Sequence, residues 1–317
     1  MTRGPDFLVI GAMKSATTTL HAQLSRQDGF FMSDPKEPNF FSDDEIYAKG
    51  LSWYSSLFAE ASATDLCGES STHYTKLPTY PETVTRLRSA FPRLKLIYVI
   101  RHPIERLISQ YLHESIQGPI RLPIDLAIDR HPRLIDYSRY SMQIEPYLDA
   151  YGTENVLIAF AERFARNPNR ELERICRFLG HAGRPRWDET LGRQNARSQR
   201  LRPSKMRNIL VNAPMLNAIR RRYVPRPWCE RLKGIWRISR QPDTRLSESS
   251  TRRLREIFDA DLARLGRWMD VELSCDRYLE TALGSSCEWK PQAMEEGCCR
   301  GERLSKNETG GFVAPRS

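Results

Sequence analysis

The first segment able to do chemistry is Gly11-Ala-Met-Lys-Ser-Ala-Thr-Thr-Thr19. It follows the apolar run Phe7-Leu-Val-Ile10 and leads into Leu20-His-Ala-Gln-Leu24, giving the order strand, polar loop, helix. A helix N-terminus offers unpaired N–H groups and the positive end of a dipole, so such a junction binds anions. Ser15, Thr17, Thr18 and Thr19 add hydroxyl donors, and Lys14 adds a mobile point charge. A second apolar run, Leu94-Lys-Leu-Ile-Tyr-Val-Ile100, ends in Arg101-His-Pro103. Open α/β sheets bind ligands at the carboxyl ends of their strands, and the planar fork of Arg101 suits a phosphate there.

The spacing narrows the choice of anion. A P-loop nucleotidase needs G-x-x-x-x-G-K-[ST] and an acidic magnesium ligand at the end of a later strand. Here Lys14 stands three residues after Gly11, no second glycine precedes a Lys-Thr pair, and the later strand ends in a cation. Arg101 repels Mg²⁺ and attracts a further phosphate. The combination predicts a phosphorylated ligand handled without a metal ion. A P-loop-type, nucleotide-dependent small-molecule kinase is the alternative reading.

The elements that must position these residues follow from periodicity. Asn155-Val-Leu-Ile-Ala-Phe160 is a third strand candidate, and Tyr140, Ile144, Tyr147, Leu148 and Tyr151 recur at helical spacing before it. Asn167-Pro168 predicts a cap and a first-turn proline for a helix bearing Leu172, Ile175, Cys176 and Leu179, with Gly180 to end it. Pro103 suits the first turn of another helix. Strands alternating with helices predict an α/β fold, a parallel sheet flanked by helices.

Composition bounds the rest. The chain has 317 residues, 40% hydrophobic and 28% charged, which is globular and supplies a sizeable core. Its apolar runs fall far short of the ~18–20 residues of a membrane span. The first run passes directly into a polar loop, so no signal peptide is expected. Seven cysteines without a CxxC pair suit neither zinc nor a disulfide framework, and thiols in a reducing compartment are expected; Cys298 and Cys299 sit in a polar tail. The net charge of +10 is concentrated in residues 181–255, with 20 Lys/Arg against 5 Asp/Glu. Pro203, Pro214, Pro225, Pro227 and Pro242 predict short helices and loops there, giving a mostly helical basic C-terminal part. Leu254, Ile257, Phe258, Leu262 and Leu265 mark one more amphipathic helix. Residues 1–284 are expected to form one domain containing this segment, and 285–317 a disordered polar tail. The charge admits nucleic acid, a membrane surface or an anionic small molecule as partner. No helix-turn-helix, RRM or zinc-finger pattern is present, so nucleic acid is not expected.

The motifs also carry a family resemblance. Lys14-Ser-Ala-Thr-Thr-Thr19 after a strand resembles the 5′-phosphosulfate loop of sulfotransferases that use 3′-phosphoadenosine 5′-phosphosulfate (PAPS). Arg101-x-Pro103-x-x-Arg106-x-x-Ser109 is similar to their 3′-phosphate motif, and Lys36-Glu-Pro-Asn-Phe-Phe41 to a segment of the carbohydrate-type branch. Asn155 to Gly180 and Leu254 to Trp268 resemble the later strand and helices, so the likeness spans roughly residues 5–275.

The resemblance implies a P-loop-like fold and a set of roles. Lys14 is to neutralise the leaving phosphate, and backbone N–H groups of Ser15, Ala16, Thr17, Thr18 and Thr19 to hold the 5′-phosphate. Arg101 and Ser109 are to hold the 3′-phosphate, whereas Arg106 is expected to pack or pair structurally. Glu37 is to be the general base, with His73 the alternative because the cytosolic small-molecule branch uses histidine. Asn39 stands where many relatives carry His. Glu69 either orients Lys14 or the acceptor, or forms an ordinary buried pair. In the basic loop Asn195–Lys205, Arg200 and Arg202 are expected over the cofactor phosphates. Apart from the resemblance, Tyr223, Trp228 and Trp236 lie among arginines and either pack on the sheet or stack against nucleic-acid bases or the apolar face of a sugar or lipid acceptor. The expected enzyme is a soluble cytoplasmic sulfotransferase without a metal. It moves a sulfuryl group from PAPS to a hydroxyl, or an amine, of a carbohydrate, glycolipid or other small molecule, and releases PAP.

Overall fold

A computed structural model describes residues 3–191, 242–284 and 289. Five strands, β1 (Phe7–Gly11), β2 (Phe30–Met32), β3 (Leu66–Ser70), β4 (Lys95–Ile100) and β5 (Val156–Phe160), form one sheet in the order β2-β3-β1-β4-β5. Every pairing is parallel, with Leu8 opposite both Glu69 and Leu96, and Tyr98 opposite Ile158. Three of these strands match the apolar runs of the sequence. The two additional ones are β2, only three residues long, and β3, where Leu66-Cys-Gly-Glu-Ser70 has no continuous apolar run. Gly68 is needed in β3 because a Cβ there would overlap the Phe7 ring.

The sheet is covered on both faces, which is why β1 and the last five residues of β4 form continuous apolar or aromatic runs apart from Gly11. Leu8, Ile10, Leu96, Tyr98 and Ile158 enter one core with the helices Tyr140–Tyr151 and Glu248–Met269. Phe7, Val9, Ile97, Val99 and Ala159 enter the other with Thr17–Leu24 and Pro168–Phe178. Leu254, Phe258, Leu262 and Leu265 supply the buried stripe of the long helix, as the spacing predicts. Asp261 on that helix accepts bonds from Ser141 N (2.9 Å), Ser141 Oγ (2.6 Å) and Met142 N (3.3 Å), so it caps and anchors its neighbour. Asn167 occupies the expected cap position ahead of Pro168, but its side chain makes no cap bond.

From β1 the chain builds β2 and β3 on one side and then β4 and β5 on the other, so order reverses at β1 and β4. Such a switch opens a crevice at the carboxyl ends of the strands. Cys67, Cys176 and Cys275 are buried free thiols. Among the described residues no helix is long and apolar enough to cross a membrane. Most of the basic segment and all but Trp289 of the expected tail lie outside the described residues.

Candidate active site

The loop after β1 is held in an unusual backbone. A Cβ at Gly11 would overlap Thr75 Oγ1, and Ala12 N donates to Val99 O (2.7 Å), tying the loop to β4. Lys14 and Ala16 both have left-handed φ, +70° and +64°. For non-glycine residues this costs about 1–3 kcal/mol each, and such strain concentrates at functional sites. Ala16 is the N-cap of the helix Thr17–Leu24 and offers no side-chain cap. Because Leu20 N is bonded to Ala16 O, the N–H groups of Thr17, Thr18 and Thr19 precede the intrahelical ladder. Ser15 is fully buried beneath the loop, and its Oγ has no partner among the described residues. An uncapped helix start approached by left-handed backbone is the geometry of an anion nest.

These residues open onto a cleft of about 1090 Å³. Lys14, Ala16, Thr17, Thr18, Thr19, Arg101, Ser109, Glu37 and His73 all line it, so the expected site residues of the first 191 are brought together around one cavity, with Ser15 just below. Arg200 and Arg202 lie outside the described residues.

Lys14 stands between two opposite charges. Burial and the Arg101 guanidinium lower its proton affinity, and Glu37 raises it, with a net shift down. Its Nζ has no hydrogen bond or ion pair among the described residues. Arg101 donates to Glu105 through Nη2 (2.7 Å) and Nε (3.2 Å), an exposed pair one helical turn apart. Glu105 and Ser109 lie on the helix Pro103–Gln117, which begins two residues after Arg101. Phe164 and Trp187 stack at 5.8 Å on a further wall of the cleft. Arg106 is structural, as expected. Fully buried, it donates to Ser138 Oγ (2.5 Å), Gln110 Oε1 (2.8 Å), Leu134 O (3.0 Å) and Met13 O (3.4 Å).

Glu37 also has left-handed φ, +59°, with its N–H on Ser70 O (2.9 Å). Lys36 Nζ donates to its Oε1 (2.5 Å) and Thr72 Oγ1 to its Oε2 (3.3 Å). Burial opposes ionisation of Glu37, but Lys36, Lys76 and His73 outweigh it and hold the carboxyl below its usual value. The His73 ring stacks on Tyr80 at 4.8 Å, and its Nδ1 is buried without a partner among the described residues. Burial, then Lys76, bring His73 down to about 4, so it is uncharged at neutral pH. Asn39 N donates to Ser71 Oγ (3.0 Å).

Glu69 is the buried pair of the two readings given above. Its Oε2 accepts Tyr54 OH (2.5 Å) and Tyr74 OH (3.1 Å), and no cation among the described residues is bonded to it. Burial pushes its carboxyl up to about 7, against the hydrogen bonds of Ser71, Tyr54 and Tyr74. As pH rises from the ordinary value of 4.5 to about 7, the unfolded chain releases a proton that the folded chain keeps. Stability from this group therefore falls across that window and levels off above it. Glu69→Gln is expected to flatten that slope in urea unfolding followed from pH 4.5 to 8; an unchanged slope contradicts the assignment.

Several lining residues escape sequence reading. His113 has a signal, since it lies four residues after Ser109 on one helix face. Lys76, Glu162 and Trp187 have none. Among the described residues no group of three or more His, Cys, Asp or Glu could hold a metal ion.

Comparison with known proteins gives the family and the fold. A sulfotransferase domain family model matches residues 4–266. The human bifunctional heparan sulfate N-deacetylase/N-sulfotransferase 2 is 29% identical over 199 residues, covering 56% of this chain and 22% of that protein. Mouse heparan sulfate glucosamine 3-O-sulfotransferase 3B1 is 30% identical over 189 residues, covering 56% of this chain and 46% of that protein. The chain thus spans less than half the length of these curated relatives. A sulfotransferase crystal structure from Alicyclobacillus acidocaldarius superposes with a TM-score of 0.59 at 22% identity, over 86% of this chain and 98% of that one, and shows the same fold.

Proposed function

Because the chain belongs to the sulfotransferase family, we propose that its cleft takes PAPS as donor and a saccharide hydroxyl or amine as acceptor. The observation that carries this reading is the shared cavity: the uncapped helix start, Lys14, Arg101, Ser109 and Glu37 all line it. The residues present fit a donor with two separated phosphates. PAPS supplies the sulfuryl group and leaves as PAP. The N–H groups from Ser15 to Thr19 hold the 5′-phosphate, and Lys14 neutralises the charge that grows on the bridging oxygen. Arg101 exchanges Glu105 for the 3′-phosphate, helped by Ser109, and the Phe164–Trp187 stack offers a flat apolar wall to the purine. Glu37 accepts the proton of the attacking group, with His73 the second candidate.

The saccharide acceptor is supported by relatives named as N- and 3-O-sulfotransferases of heparan sulfate. The same reading takes residues 1–284 as one domain, supported by the family match over 4–266. It places the enzyme in the cytoplasm, supported by the three buried free thiols.

The kinase alternative is separated by thermal shift with PAP, ADP and ATP, each with and without Mg²⁺. Metal-independent stabilisation by PAP alone is expected; Mg²⁺-dependent stabilisation by ATP overturns the reading. Calorimetry on Arg101→Ala is expected to show PAP binding weakened about 10–100-fold, the loss of about 1.5–3 kcal/mol typical of a charged hydrogen bond. Adenosine 5′-phosphosulfate, which lacks the 3′-phosphate, is expected to bind the two proteins alike.

A further inference from the structure

Lys76 is a cation of the cleft wall that the proposed donor leaves unused. It follows the turn Thr72–Thr75, is 8% exposed and lines the same cavity as Glu37 and His73. Its Nζ makes no hydrogen bond or ion pair among the described residues, and the Tyr137 ring lies 5.8 Å away. Both acidic neighbours are engaged elsewhere. Glu114 accepts from Arg133 (2.7 Å) and Gln110 (2.7 Å), and Glu37 from Lys36 and Thr72. Burial, with Arg106 and Arg133 nearby, brings the ammonium down to about 8 despite Glu37 and Glu114. A buried charge with a distant ring contact and no hydrogen-bonded or ionic partner among the described residues is costly, so its position needs a reason.

The reason lies in what surrounds Glu37. Lys36 faces it from its own loop, Lys14 from the loop after β1, and His73 and Lys76 from the turn after β3. His21, His113 and Glu69 act on it from the two helices and from β3. His21 and His73 are uncharged above about pH 4. Glu69, when ionised, repels Glu37. Lys14 is drawn to the donor on the reading above, leaving Lys36 and Lys76. A donor carrying two phosphates and a sulfate drives a neighbouring carboxylate to take up a proton unless a cation that no phosphate claims stays beside it.

We propose that Lys76 is a positioning residue for the transfer, holding Glu37 ionised from the turn after β3 while the donor's charge fills the cleft. This rests on Glu37 being the base. The test is ¹³C NMR of the glutamate carboxyls in the full chain, with the Glu37 signal assigned by Glu37→Gln, followed against pH with and without PAP. In Lys76→Met the half-titration point of Glu37 is expected to rise by about one pH unit. It is expected to rise further when PAP is added, and Lys76→Arg, which keeps the charge, to restore the native curve. Superimposable Glu37 curves in the native chain and Lys76→Met overturn the proposal. Should Lys76→Met not fold, Lys76→Gln gives the same comparison. The PAP-free titration decides Lys76 even if PAP fails to bind, an outcome that instead removes the donor assignment.

Discussion

Lys14→Ala is expected to lower turnover by about 10²–10⁴-fold, the loss typical of removing a group aimed at transition-state charge. In sulfuryl transfer the bridging oxygen gains charge as the leaving phosphate departs, and little covalent chemistry falls to the protein. Positioning and charge compensation supply most of the rate. Lys14 meets the requirements for that task. It projects into the cleft next to the uncapped helix start, has no ion-pair partner among the described residues to compete for it, and is partly desolvated. Desolvation lowers its proton affinity but strengthens each interaction its charge makes. Alanine keeps a Cβ, so the left-handed backbone is equally strained in both proteins and the thermal midpoint should change little. Single-turnover rates with PAPS and saturating acceptor measure the effect; near-native turnover overturns the assignment.

Glu37→Gln is expected to cost about 10²–10⁴-fold, the range of a lost general base. The pH profile is more telling than the size. A base works only when deprotonated, so its activity falls as pH drops through its pKa. Burial raises Glu37, yet Lys36, Lys76 and His73 bring it below the usual carboxylate value, so the native rate should hold through neutrality and decline only in acid. The glutamine variant should lose that acid limb. His73 is also unprotonated at neutral pH, being brought down to about 4 by burial and Lys76. A limb that vanishes in His73→Ala and survives in Glu37→Gln transfers the role to the histidine.

The donor half of the site was legible because its strands are buried on both faces. Phe7–Ile10 of β1 and Leu96–Ile100 of β4 are unbroken buried runs, and the cations that follow them, Lys14 and Arg101, therefore stand out. β3 escaped notice because its fit is tertiary: Gly68 admits the Phe7 ring, and Glu69 is tolerated inside by two tyrosine hydroxyls. Glu37 and His73 sit on loops without periodicity, and only the family resemblance singled them out. Lys76, ahead of Leu77-Pro78, is in sequence indistinguishable from a solvated lysine; only the tertiary structure leaves it 8% exposed with the Tyr137 ring 5.8 Å from its Nζ.

Arg106 ties together parts that the sequence separates. Its guanidinium binds the carbonyl of Met13, while its own helix carries Ser109 and begins two residues after Arg101. The loop bearing Lys14 and the segment bearing Arg101 and Ser109 therefore belong to one frame, and their separation is a gauge set by a buried side chain. On the donor reading, such a gauge selects regiochemistry. A nucleotide with a single phosphate, or with two at another spacing, fills one end and leaves the other empty, so the fold measures the ligand before any chemistry begins.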